Sequence, residues 1–357
     1  MRINFIVPNI ALTGGNRVIF EYANHLSLRG HDVNVIYPLM PYKFWRSNNY
    51  LIEVLIQSIK FIHNIIFRWN MKWFDLKARL VRVLFVSNLT VPDADVTFAS
   101  CWPTAYSLND LSSRKGKKMY FIHHYEIDSG PKELVDKTYS FPFIRITGSE
   151  CSANELKKKL GIAIQKVILD TINFNIFYPE ITREKNGKTV LAYYNIIDKS
   201  KDKRKGSRDA VKVMDIVKKE FPEAEFWAFG PKKDKNLPEY VKFHEKPTDE
   251  QLRKIYSTAD IFFFTSHYEG FGLPPMEAMA CRCAVASTDV GAVKEYSVPN
   301  ETVLLSPPED PVALSENIIK LLRDTDLQRR IAEKGYQHVK KFTWEHSTDL
   351  LEDAITQ

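Results

Sequence analysis

The 357-residue sequence contains only four cysteines, Cys101, Cys151, Cys281 and Cys283, and no two are spaced for a disulfide framework or a zinc clip. So sparse a thiol content fits a reducing compartment. Cys281 and Cys283 form C-R-C, but no second Cys or His pair stands nearby in the sequence, so both read as core residues. A secretory signal is also missing. MRINFIVPNI holds a short apolar run without a small-residue cleavage site, which reads as a first strand. No G-x-G-x-x-G with an acidic ribose partner appears in either half, which argues against a dinucleotide dehydrogenase. Basic residues are scattered and form no recognisable nucleic-acid module, so no nucleic-acid partner is expected.

What is present is the composition of a folded protein, with 44% hydrophobic and 26% charged residues over a length that suits two compact domains. Apolar runs alternate with helix-like stretches throughout. INFIV precedes a loop with Gly14 and Gly15, a helix to about Leu28, and a second run from Val33 to Tyr37. DVTFAS from Asp95, a helix from about Pro103, MYFIHH from Met119, FIRITGS from Phe143, the helix SANELKKKLG and KVILD from Lys166 continue the alternation. The second half repeats it with VLAYY, a helix over Ser207 to Glu220, EFWAFG, VKFHE, a helix over Glu250 to Ala259, IFFFTS, AVAST and TVLLSP. This grammar predicts an α/β protein of two Rossmann-like, doubly wound domains that meet at a central cleft and join around 173–188. We expect the N-terminal domain over 1–175 and the C-terminal one over 176–340.

One stretch interrupts the pattern. Between Tyr42 and Leu84, Leu51, Leu55, Ile59, Ile62, Ile66 and Trp69 recur at helical spacing beside Lys60, Arg68 and Lys72, which predicts a helical insertion over about 42–84. Charge breaks it too often for a bilayer span. It suits either a helix packed on the first domain or an interfacial helix on an anionic membrane surface, a partner that the formal charge of +6 also allows.

The chemistry concentrates where IFFFTS runs into EGFGLPPME. Glu269, Gly270, Phe271 and Gly272 form a turn, and Pro274 and Pro275 are placed to begin a helix. Glycines let the backbone approach a ligand, the amides at the helix start favour an anion, and two carboxylates bracket a polyhydroxylated group. A sugar diphosphate satisfies all three.

Glu269 and Glu277, separated by seven residues within EGFGLPPMEAMA, resemble the E-x7-E signature of glycosyltransferase family 4. The likeness extends to TGGNRV, MYFIHHYE, the pair Lys205 and Gly206, and the terminal FTWEHSTDLLEDA. It implies the GT-B fold and transfer of a sugar from a nucleoside-diphosphate sugar, with retention at the anomeric carbon, to a glycan or lipid-linked acceptor in cell-surface polysaccharide or glycoconjugate synthesis. It also implies a last segment, 341–357, that crosses back to the N-terminal domain. By resemblance Glu277 holds the donor ribose and Glu269 lies by the donor sugar, while the amides of Phe271, Gly272 and Leu273 flank sugar or diphosphate. One short turn cannot place both carboxylates on opposite sides of a glycosidic bond, which argues against a hydrolase.

Cleaving the anomeric bond leaves negative charge on the diphosphate, which fixed cations stabilise. Lys205 matches the family's K-G. The arginine that often stands several residues earlier is absent from YYNIIDKSKDKRKG, which leaves Arg204, Lys203 and Lys199 as candidates for the second cation. Gly206 and, after EFWAF, Gly230 complete the expected donor loops. His123 matches a family histidine at the reaction centre, although a structural role is open to it. Gly14 and Gly15 open the first domain's loop toward the cleft. Asp93 and Asp95 make a D-x-D that precedes its strand, so it reads as a strand start, and neither a metal nor a prosthetic group is expected. The expected site is therefore Glu269, His123 and Lys205 for catalysis, with Glu277, Gly270, Phe271, Gly272, Leu273, Arg204, Gly206 and Gly230 for the donor. A cytoplasmic enzyme, peripheral at the inner membrane face, follows. The rival readings are a nucleotide-sugar isomerase on the same fold and a non-catalytic nucleotide- or carbohydrate-binding protein.

Overall fold

The computed structural model describes every residue except 43–54, 57, 60, 63–70, 72, 181–186 and 196–203. The chain forms two compact units. Unit 1 comprises Met1–Asp170 together with Trp344–Gln357, and unit 2 comprises Thr171–Thr343.

Unit 1 is built on seven strands: β1 (Arg2–Ile6), β2 (Asp32–Pro38), β3 (Arg79–Val83), β4 (Val96–Ala99), β5 (Lys117–Ile122), β6 (Ile144–Thr147) and β7 (Lys166–Val167). All pair in parallel, in the order β3-β2-β1-β4-β5-β6-β7. The central strands read as near-continuous apolar runs because both faces are covered: Ile3, Phe5 and Ile6 of β1 and Met119 to Ile122 of β5 are fully buried. Their helices are α1 (Gly14–Leu28), α2 (Trp102–Asp110), α3 (Lys132–Tyr139) and α4 (Glu150–Leu160). Thr13 caps α1 by accepting from the amide of Asn16, and Ser149 caps α4 by accepting from Ser152.

Unit 2 repeats the design with β8 (Thr189–Tyr193), α5 (Ser207–Glu220), β9 (Glu225–Gly230), β10 (Val241–Glu245), α6 (Asp249–Thr258), β11 (Ile261–Phe264), α7 (Leu273–Ala280), β12 (Ala284–Thr288), β13 (Leu304–Ser306), α8 (Pro311–Arg323) and α9 (Thr325–Val339). Its six strands are parallel in the order β10-β9-β8-β11-β12-β13. Helix α5 shows why the sheet is covered: Ala210, Val213, Met214 and Val217, at one-face spacing, are fully buried against the core that includes Val190, Ala192 and Phe226. Each of the Val and Met side chains contributes about 2 kcal/mol. The last helix, α10 (Trp344–Thr356), returns to unit 1, where it packs on α1 and Glu352 pairs with Arg29 and His31.

In both sheets the strand order reverses beside the first strand, between β1 and β4 and between β8 and β11. Loops that leave the carboxyl ends of such neighbouring strands run in opposite directions and leave a crevice where ligands of open α/β sheets bind. The doubly wound expectation holds in each unit.

Two expectations need correction. Residues 79–83, placed by the sequence within a helical insertion, form the edge strand β3, where the β-prone run Leu80–Val83 pairs with β2 and Arg79 Nε donates to Asn34 Oδ1 at 2.8 Å. KVILD is a strand only over Lys166–Val167, because the chain there lies at the sheet edge and leaves toward unit 2. Of the apolar stripe, Leu55, Ile59 and Ile62 sit on helical backbone and are exposed, while Leu51, Ile66, Trp69, Lys60, Arg68 and Lys72 lie outside the described residues. Among the described residues no helix is long and apolar enough to cross a membrane.

Candidate functional site

The switch point of unit 2 brings together residues that are 64 positions apart. Lys205 lies on the loop between β8 and α5, and Glu269 on the loop between β11 and α7. Because β8 and β11 are neighbours, Lys205 Nζ meets Glu269 Oε1 at 2.5 Å. Their side chains are 16% and 10% exposed, so water screens the pair poorly. Ser266 Oγ donates to the same oxygen at 2.8 Å. Burial acts most strongly on Glu269 and would raise its pKa, but the charges of Lys205 and Arg204 and the hydrogen bonds from Lys205 and Ser266 together hold it below the usual value. Glu269 is thus an anion.

The two loops are clasped along their backbones. The amides of His267 and Tyr268 donate to the carbonyl of Arg204 at 2.7 and 3.4 Å, and Thr265 Oγ1 donates to the carbonyl of Lys205 at 3.2 Å. His267 Nε2 sits 2.7 Å from Asp209 Oδ2 on the first turn of α5. Gly206 is the residue this clasp demands. Its φ of +61° is left-handed, and a Cβ there would lie 2.0 Å from the carbonyl oxygen of Thr265. Gly230 closes β9 with its α-carbon against the Tyr194 carbonyl. Lys199 and Lys203 lie outside the described residues.

Helix α7 begins beside Glu269. Gly272 is its N-cap residue with φ +92°, Leu273 and the prolines follow, and Tyr296 Oη donates to the Gly272 carbonyl at 2.6 Å. The Phe271 carbonyl accepts from the Ala292 amide, and Gly270 is buried within the turn. Pro274 and Pro275 carry no N–H, so the amides that this braced turn can bring to an anion are those of Gly272 and Leu273. Glu277, 7% exposed, receives a hydrogen bond from the fully buried Tyr256 Oη at 3.2 Å. Sequence reasoning missed Tyr256, Ser266 and the His267–Asp209 pair.

In unit 1, His123 follows β5 directly and lies against Gly15. A Cβ on Gly15 would come 2.9 Å from His123 Cδ2 and 3.1 Å from Nε2. Nε2 is buried and has no hydrogen-bond partner among the described residues, and burial pushes the imidazole down to about 4, so the ring is neutral. The loop carrying Gly14 and Gly15 is braced by Asn16, whose Nδ2 donates to the carbonyls of Asn9 and Ala11. The segment after His123 is held by Glu126, which accepts from the Trp102 amide at 2.7 Å and from Tyr120 Oη at 3.1 Å. Asp93 and Asp95 are taken up by Arg114, Lys115 and Arg2, as residues at a strand start.

Residues 173–338 match the family model for glycosyl transferases group 1. The match spans nearly all of unit 2, Thr171–Thr343. Over 109 residues the chain is 36% identical to the O-antigen chain mannosyltransferase B of Escherichia coli, covering 30% of this chain and 28% of that protein. Over 111 residues it is 32% identical to the D-inositol 3-phosphate glycosyltransferase of Corynebacterium urealyticum, covering 31% of this chain and 26% of the relative. The chain thus matches under a third of these relatives' length. Over its full length the fold is similar to sucrose-phosphate synthase from Thermosynechococcus elongatus, with a TM-score of 0.75, 18% identity, and 100% and 98% of the two chains covered. It is also similar to HepE of Anabaena in complex with UDP, with a TM-score of 0.73, 14% identity and 100% of both chains covered. The twin parallel sheets are the GT-B fold.

Proposed function

We propose that the chain is a retaining glycosyltransferase that moves a sugar from a nucleoside-diphosphate sugar to a hydroxyl of a glycan or lipid-linked acceptor, without a metal, in the synthesis of a cell-surface polysaccharide or glycoconjugate. The observation that carries this reading is the buried Lys205–Glu269 pair at the start of α7. The names of relatives, among them the O-antigen chain mannosyltransferase B and the serotype-specific mannosyltransferase WbdA of Escherichia coli, support the class of product.

In this reading the acceptor oxygen bonds to the anomeric carbon as the bond from that carbon to the diphosphate breaks, and the electron pair leaves on the diphosphate. The acceptor proton passes to the departing phosphate. Lys205, Arg204 and the amides of Gly272 and Leu273 meet that growing charge, and they do so more strongly in the transition state than before it. Glu269 fixes Lys205 and faces the sugar, and Glu277, oriented by Tyr256, takes the ribose hydroxyls. In unit 1 the neutral His123 offers Nε2 to a sugar or acceptor hydroxyl, beside the loop of Gly14 and Gly15.

A thermal-shift series with UDP, GDP and ADP and their sugar conjugates tests the reading, because a ligand of the folded state raises the midpoint. We expect one nucleotide to stabilise the protein and its sugar conjugate to be consumed with an acceptor, with the anomeric configuration kept in the product NMR spectrum. Silence across all three nucleotides, or consumption with inversion, would overturn it.

A further inference from the structure

Arg204 and Lys205, the cations described at the site, stand on a loop that ends at Gly206, a residue with no side chain and a left-handed φ of +61°. Both side chains are long and rich in rotamers, so their charges stay in register only if the loop beneath them does. A group that must meet a ligand to within about 0.5 Å needs support from residues that do not touch the ligand themselves.

His267 supplies that support at two points. Its backbone amide donates to the Arg204 carbonyl at 2.7 Å. Its imidazole lies over Gly206, where a Cβ would come 3.0 Å from Nε2, and Nε2 then reaches Asp209 Oδ2 at 2.7 Å on the first turn of α5. A carboxylate only accepts, so Nε2 is the donor. Nδ1 lies 3.9 Å from Glu309 Oε1, beyond hydrogen-bond reach, which leaves Asp209 as the one directed partner of the ring among the described residues. Asp209 is aimed in turn by Lys212, whose Nζ donates to Oδ1 at 3.0 Å, and its charge is favourably placed at a helix start. The side chains of His267 and Asp209 are largely buried, so water competes poorly for their bond. His267 therefore staples the cation loop on both sides of Gly206, from a position two residues before Glu269. The pair spans the same two loops that the Lys205–Glu269 contact joins.

We propose that His267, through Asp209, is the positioning residue of this loop: it holds Arg204 and Lys205 where the donor diphosphate arrives, and so governs affinity for the diphosphate and leaves affinity for the nucleoside alone. The inference rests on the transferase reading given above.

Titration calorimetry of the full chain with UDP, GDP and ADP, each beside its nucleoside, is the test. The diphosphate that binds wild type should bind His267→Ala about tenfold more weakly, while affinity for the matching nucleoside changes less than about twofold. His267→Gln, whose amide nitrogen can donate to Asp209 from a similar reach, should recover to within about threefold of wild type. Asp209→Ala should repeat the loss, and His267→Ala/Asp209→Ala should add little to either single change, because the two residues share one bond. In a Lys205→Met background His267→Ala should cost under about threefold, since a cation that it positions is gone. Melting midpoints near that of wild type identify variants that remain folded, and Asp209→Ala carries the test where His267→Ala does not fold. Unchanged diphosphate affinity in the folded variants, a Gln variant as weak as the Ala one, or a loss shared equally by nucleoside and diphosphate overturns the inference while the transferase reading stands. A wild type that binds none of the three diphosphates overturns the transferase reading and the inference with it.

Discussion

Replacing Lys205 by Met removes the counter-charge of Glu269 while keeping most of the buried stem. Breaking a buried pair from one side costs about 3–5 kcal/mol, because the remaining charge stays desolvated. Glu269 keeps the hydrogen bond from Ser266 and the nearby charge of Arg204, so we expect about 2–3 kcal/mol of lost stability in the transition of unit 2. Glu269→Gln alone strands the ammonium instead, and the double variant strands neither. The double-mutant cycle should therefore return a coupling of at least about 1.5 kcal/mol. Acidification gives a second signature. In wild type the carboxyl of Glu269 titrates below its ordinary value of 4.5, so its stabilisation is present above pH 4.5 and is lost as pH falls through the lowered value. Without Lys205 the folded-state value moves up, and protonation then relieves the buried anion. The stability gap between wild type and Lys205→Met should accordingly narrow from about pH 7.5 toward about pH 4. Urea unfolding followed by tryptophan fluorescence at both pH values measures it, and turnover should fall about 10²–10³-fold. Additive single substitutions, or a gap that does not depend on pH, would refute the view that the pair is one buried electrostatic unit.

Gly15→Ala brings a methyl within 2.9 Å of the His123 ring, so the ring must shift. Turnover should fall at least tenfold for a stability loss of about 1–2 kcal/mol, read by initial rates beside urea midpoints. Tyr256→Phe deletes the donor to Glu277 and should raise the KM for the donor about fivefold with kcat nearly unchanged, since ribose binding is the same in ground and transition states. Asp170 is 4% exposed, has one oxygen without a partner among the described residues, and is pushed by burial up to about 7. A raised carboxyl destabilises as pH climbs from its unfolded value, so Asp170→Asn should gain about 1–3 kcal/mol in unit 1 at about pH 8 and nothing near pH 4. A gain of equal size at both pH values would point to packing instead.

The parallel sheets were legible in the sequence because strands buried on both faces leave uninterrupted apolar runs such as IFFFTS and MYFI. The turn at Glu269 was legible because glycines and prolines stand at fixed offsets from one another. Neither kind of signal reaches across the chain. The partner of Glu269 was within reach only through a resemblance, and Tyr256 beneath Glu277 or Asp209 beneath His267 was not, since such contacts arise when distant loops leave adjacent strands. The strand β3 was lost for a related reason: Leu80, Val81 and Val83 are too few to establish a period, and the helical spacing before them was carried past its end.

The split composition of unit 1 bears on how the molecule is made. A ribosome delivers the whole of unit 2, Thr171–Thr343, before the helix Trp344–Thr356 that unit 1 still needs. The unit begun earlier is thus the last to be completed, and until then the face of α1 that meets Trp344 has no cover. A nascent chain stopped short of Trp344 would carry a finished unit 2 behind an unfinished neighbour, with Tyr22, buried once α10 is in place, left open to water and to chaperones.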